Sequence, residues 1–131
     1  MSIATFEEAL RDMLIKDAGV KAITTRCYPA KLPQNPTYPL ILYYRITGIP
    51  ANTLTGSPTL EYSRFQVEAW ALTYAAAKVL AKAIVAALNA KIYTGASVTI
   101  GSIVKQGERD QYEEAVSCHR VIMDFTVWGD E

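Results

Sequence analysis

Apolar and polar positions alternate with two distinct periods along this chain, and the period changes mark out its elements. Phe6, Leu10, Met13 and Leu14 recur at helical spacing, and Thr5 followed by Glu8 is a capping-box pattern. A first helix is therefore predicted from about Phe6 to Lys16, with Gly19 as its C-terminal stop. A short extended piece is expected at Arg26 to Tyr28. Four prolines, Pro29, Pro33, Pro36 and Pro39, then exclude helix interior and central strand, which leaves a stiff, ordered loop. From Leu40 to Thr47 the period is two, with Leu40, Leu42, Tyr44 and Ile46 against Ile41, Tyr43, Arg45 and Thr47.

Gly48 to Thr59 contains two glycines, two prolines and an asparagine and reads as a long hairpin loop. A strand follows from Leu60 to Ala71, with Phe65, Val67 and Ala69 on one face and Tyr62, Arg64, Gln66, Glu68 and Trp70 on the other. Thr73 is the expected cap of a second, alanine-rich helix from Tyr74 to Leu88, whose stripe is Ala77, Leu80, Ala81, Ile84 and Leu88. Lys78 and Lys82 mark its outward side, and Val79, Ala83 and Ala86 widen the apolar surface toward a neighbour. Two further strands, Val98 to Lys105 and Ser117 to Trp128, flank a charged stretch from Gln106 to Ala115 that reads as a solvated, mobile turn. The order αβββαββ predicts an α+β fold, a mainly antiparallel sheet with two helices packed on one face. At 131 residues the chain is expected to form one domain, with long loops at about 48–59 and 106–116.

Charge narrows the function. Thirteen basic and thirteen acidic residues cancel, so no net field draws the molecule to nucleic acid or an anionic membrane. The opening Met1 to Glu8 has acids where a secretion signal needs a basic start, and no apolar run approaches the roughly 20 residues of a membrane span. Cys27 and Cys118 are too few for a disulfide framework and lack metal-ligand spacing. The one histidine, His119, follows Cys118 directly in a strand, where neighbours point to opposite faces, so the pair cannot form a catalytic dyad. Glu108, Asp110, Glu113 and Glu114 lack the apolar wall that would tune an acid-base pair. Neither enzymatic activity nor a cofactor is expected. Tyr43, Tyr62, Trp70 and Trp128 could stack bases, as in sheet-based RNA binders. With Arg45, Arg64, Glu68, Arg120 and Asp124 of mixed sign around them, cross-strand ion pairs and a protein contact are the simpler expectation.

Four stretches taken together resemble a known family. They are Phe6-Glu-Glu-Ala-Leu-Arg, then Tyr28-Pro29 through Leu32-Pro33-Gln34 to Tyr38-Pro39-Leu-Ile-Leu-Tyr-Tyr44, then Arg64-Phe-Gln-Val-Glu-Ala-Trp70 ahead of Tyr74-Ala-Ala-Ala-Lys78, and Arg120-Val-Ile-Met-Asp-Phe-Thr-Val-Trp128. In this order they resemble the tail completion, or tail-to-head joining, proteins of long-tailed bacteriophages, which are similar in fold to tail terminators. Thr24-Thr25 departs from the pattern, since relatives often carry glycine there. The resemblance implies a structural virion protein, made in the bacterial cytoplasm, that forms a ring, typically a hexamer. The ring would cap the tail tube at the tail-neck junction and join tail to head. Its implied partners are other copies of itself, the tail tube protein and a connector or stopper protein of the head's neck, with no membrane. DNA would pass through without specific recognition. Candidate subunit or tube contacts are Asn52, Thr53, Leu54, Thr55, Arg64, Glu68, Lys78, Lys82, Arg120 and Asp124. Candidate lumen-facing residues are Glu108, Arg109, Asp110, Glu113 and Glu114. The alternatives are a head-completion or stopper protein and a small RNA-binding α+β module.

Overall fold

The computed structural model describes residues 3–50 and 60–131. Helix α1 (Phe6–Lys16) and the single turn α2 (Ala18–Lys21) precede strands β1 (Cys27–Pro29), β2 (Leu40–Pro50) and β3 (Leu60–Ala71). Helix α3 (Tyr74–Leu88) leads to β4 (Tyr93–Thr94), β5 (Thr99–Glu113), a 3₁₀ turn (Glu114–Val116) and β6 (Cys118–Asp130). Thr5 caps α1 as expected, and Glu8 reaches back one residue beyond the cap. Thr5 Oγ1 accepts from the Glu8 N–H at 3.2 Å, and the Glu8 carboxylate accepts from the Ala4 N–H at 3.0 Å. Phe6, Ala9, Leu10 and Leu14 are its buried residues. The expected stop at Gly19 is displaced. Asp17, in an extended conformation, ends α1 and caps α2 by accepting from the Val20 N–H, so Gly19 lies inside that turn. The expected stripe of α3 is buried throughout, and Thr73 caps it by accepting from the Ala76 N–H.

The strands form a curled, six-stranded sheet in the order β1-β2-β3-β6-β5-β4. It is mixed, because β1 runs parallel to β2 while the other pairs are antiparallel. The helices α1 and α3 cover one face, where Ile41, Tyr43, Phe65, Val67, Val121, Met123, Phe125 and Val127 meet Phe6, Leu10, Leu80 and Ile84 in the main core. Across the middle of the sheet Phe65 pairs with Phe125 and Val67 with Met123. On the opposite, open face the Pro-rich segment folds back. Tyr28, Leu32 and Tyr38 pack on Leu40, Leu42, Trp70 and Cys118 as a second, smaller core.

Two expected loops are strand in part, and residues 51–59 of the first lie outside the described residues. Gly48, Ile49 and Pro50 belong to β2, which continues past an irregularity between Arg45 and Thr47. Most of the supposed charged turn is the upper half of β5, paired residue by residue to β6 as far as Glu113 opposite Cys118. A bulge between Lys105 and Gly107 inserts one extra residue, which shifts the period-two pattern where the charges begin. Among the described residues there are three α-helices rather than two, and a sixth strand, β4, that apolar alternation is too short to reveal.

Candidate functional site

On the open face, neighbouring strands bring four polar or aromatic side chains to one carboxylate. Glu68 of β3 is only 1% exposed, and donors surround it on both sides. Its Oε1 accepts from Trp70 Nε1 and Arg120 Nη1, both at 3.0 Å. Its Oε2 accepts from the Tyr44 hydroxyl at 3.0 Å and from Gln66 Nε2 at 2.7 Å. Gln66 also donates to the Tyr44 hydroxyl. Arg120 in turn lies over the Trp70 ring, 5.2 Å from its centre, and reaches Glu113 with Nη2 at 2.6 Å. Burial, reinforced by the Glu68 charge, raises the Tyr44 phenol above its usual range. With two donors on each oxygen, the Glu68 carboxylate has used its acceptor capacity and offers no lone pair to a substrate proton. This arrangement fixes register between β2, β3 and β6.

Further down the same face Arg64 and Asp124 form a longer pair at 3.8 Å. The alternation in β3 and β6 is enough to put Arg64, Glu68, Arg120 and Asp124 on one face. It does not identify Tyr44 and Gln66 as partners of Glu68, because register between strands is set by packing.

A second cluster sits at the rim on the helix side. Lys78 does not point outward as expected. Its Nζ lies 2.9 Å from both Glu108 and Asp110 on β5, and Lys105 Nζ lies 2.7 Å from Glu108. The Tyr74 hydroxyl donates to Asp110 at 2.7 Å. These bonds hold Glu108 and Asp110 below the usual carboxylate range, through Lys105 first for Glu108 and through Lys78 first for Asp110, and they raise Lys78. Lys78, Ala81, Lys82, Val85, Lys105 and Glu108 line a shallow cleft of about 410 Å³.

The other candidates are scattered. Arg109 is exposed on β5 opposite Ile122, and Glu114 is exposed in the 3₁₀ turn. Asn52, Thr53, Leu54 and Thr55 lie outside the described residues.

The remaining chemistry is accounted for by packing. His119 sits between the rings of Tyr74 and Tyr112, at 5.9 and 4.8 Å. Burial pushes the Cys27 thiol up to about 12, and the Cys118 thiol donates to the Val116 carbonyl at 3.2 Å. Among the described residues no group of three potential metal ligands occurs, and no helix is long and apolar enough to cross a membrane. The four aromatics do not make a stacking platform. Tyr43 belongs to the helix-side core, Trp70 is buried against the Pro-rich segment, and Tyr62 packs edge-on to Trp128 at 4.7 Å.

A curled sheet with helices on one face and an internally bonded carboxylate on the other defines a small α+β protein whose most buried acid is spent on holding its own strands together. The same fold occurs in a chain of the virion of a native gene transfer agent particle, at 16% identity and TM-score 0.75, over 96% of this chain and 95% of that one. A second solved chain is similar at 13% identity and TM-score 0.57, over 98% of each. A search of curated proteins gives no significant match. The profile of the family described as tail completion protein gp17 matches residues 8–130. The chain belongs to that family, and it is a structural protein of a phage-type tail.

Proposed function

We propose that this chain acts without catalysis as the ring that caps the tail tube, ends its polymerisation and joins the tail to the head. The family match across residues 8–130 carries this reading. The saturated Glu68 carboxylate supports it, since the most buried acid on the open face is committed to structure. The ring holds six copies, stands at the tail-neck junction between the tube protein and a connector or stopper protein, and lets DNA pass without reading its sequence.

The test is the mass of the purified protein in solution, alone and with purified tail tubes, followed by imaging of the tube ends. A ring of defined mass on one end of each tube is the expected result. A species that stays monomeric with tubes present would overturn the proposal. Density for the protein on the portal side of the neck would replace it with the head-completion reading.

A further inference from the structure

Among the described residues, parts of both sheet edges have no neighbouring strand, and their geometry bears on how copies meet. β4 covers β5 only at Thr99 and Ile100. Just above, the segment leaving α3 takes over, with the Ala90 N–H donating to the Ile103 carbonyl at 2.8 Å and Asn89 Oδ1 accepting from the Lys105 N–H at 2.9 Å. Ile103 and Lys105 therefore turn their peptide groups away from β6. In a strand, side-chain face and peptide direction are locked together. Glu108, Asp110 and Tyr112 lie opposite Met123, Val121 and His119, on the same face as Ile103 and Lys105, so their peptide groups also turn outward. No hydrogen bond reaches those groups among the described residues. The ion pairs of Glu108 and Asp110 with Lys78 hold this edge in place from the helix side.

At the other side of the sheet β1 covers β2 only over Ile41 to Tyr43, with the Ala30 N–H on the Tyr43 carbonyl. Beyond that point β2 runs on to Pro50, a residue tolerated at an edge because it has no outward N–H to leave unpaired. Register places the two free edges at diagonally opposite corners. Gly107 is level with Asp124, Gln66 and Tyr44, while Ile100 is level with Gly129, Glu61 and Pro50. Through the intervening antiparallel pairs, β2 and β5 run in opposite directions.

A second copy moved along the strand direction can thus lay its free β2 edge antiparallel on the free β5 edge. The helices of both copies then stay on one side of a continuous sheet. We propose that copies of this chain join in this way, residues 108–111 of one to residues 47–50 of the next. The inference rests on the ring reading. The contact joins two different surfaces, which is what a closed ring requires, whereas β5 pairing with itself would stop at a dimer.

Thr47 and Gln111 face the open side, so their peptide groups turn inward and the two would fall in pairs without hydrogen bonds between them, where side chains of opposed strands come closest. With Thr47→Cys and Gln111→Cys in one chain, mild oxidation of rings on tail tubes should give a ladder of linked species up to the ring size. Gln111→Cys alone should give none. Asp110→Pro removes an outward N–H that the monomer does not use, and should raise the concentration for ring assembly at least about tenfold relative to Asp110→Ala, which loses the same ion pair. Monomer melting of the two variants, followed by circular dichroism, should agree. Wild-type rings on tubes with no ladder, or equal assembly of the Pro and Ala variants, would overturn the edge contact and leave the ring intact. Dimers from Gln111→Cys alone would overturn it in favour of β5 self-pairing. Absence of wild-type rings would instead remove the reading on which the contact rests.

Discussion

Two carboxylate clusters, one on each face of the sheet, are built from similar parts and differ in what surrounds them. Glu68 is buried on the open face and receives four donors, including an arginine. Glu108 and Asp110 stand at the exposed rim, held by Lys78, Lys105 and Tyr74. Coulomb attraction at similar distance is worth far more where water is excluded, but so is the penalty for leaving one partner alone. Burial therefore makes the first cluster a requirement of the fold and leaves the second adjustable.

Removing one partner of the buried pair is the hardest test of that contrast. Glu68→Leu leaves the Arg120 guanidinium with Glu113 alone and orphans three further donors, and should cost about 3–5 kcal/mol in denaturant unfolding. A loss below about 1 kcal/mol would erase the distinction between the clusters. Adding Arg120→Met to Glu68→Leu removes the half-paired charge and should recover about half of that loss, with the remainder reporting the orphaned Tyr44, Gln66 and Trp70 donors.

At the rim, Lys78→Met should cost only about 0–1 kcal/mol, the range of exposed ion pairs. Its signature is in pH dependence. Glu108 and Asp110 titrate below their ordinary values of 4.5 and 3.8 in the folded protein, so their contribution is present above pH 4.5 and is lost as pH falls through the lower folded values. Melting temperature against pH should therefore fall less steeply below pH 4.5 in Lys78→Met than in the wild type. Equal slopes would show that the rim pairs contribute nothing.

The same contrast explains what could be read in the sequence. Helix α1, strand β3 and helix α3 follow their expected boundaries, because capping residues and apolar spacing are local signals. The face shared by Arg64, Glu68, Arg120 and Asp124 was legible from alternation alone. Their partners were not, since Tyr44 lies 24 residues from Glu68 and Arg120 lies 52 away. The upper half of β5 was misread because its pairing to β6 comes from the main chain, its side chains are charged, and the bulge after Lys105 breaks the alternation. The second core on the open face was hidden for another reason. Prolines announce where helix and strand cannot be, and say nothing about which surface the intervening Leu32 and Tyr38 will cover.

The strand order also has a consequence for biosynthesis. β6 is the last strand along the chain, yet it lies between β3 and β5 and joins the two halves of the sheet. While residues 118–130 are still inside the ribosome, β3 and β5 each lack their central neighbour and the apolar surface of α3 has only part of its floor. A nascent chain must hold that surface out of water-driven association until residues 118–130 have left the ribosome, because the sheet closes only when β6 can enter between β3 and β5.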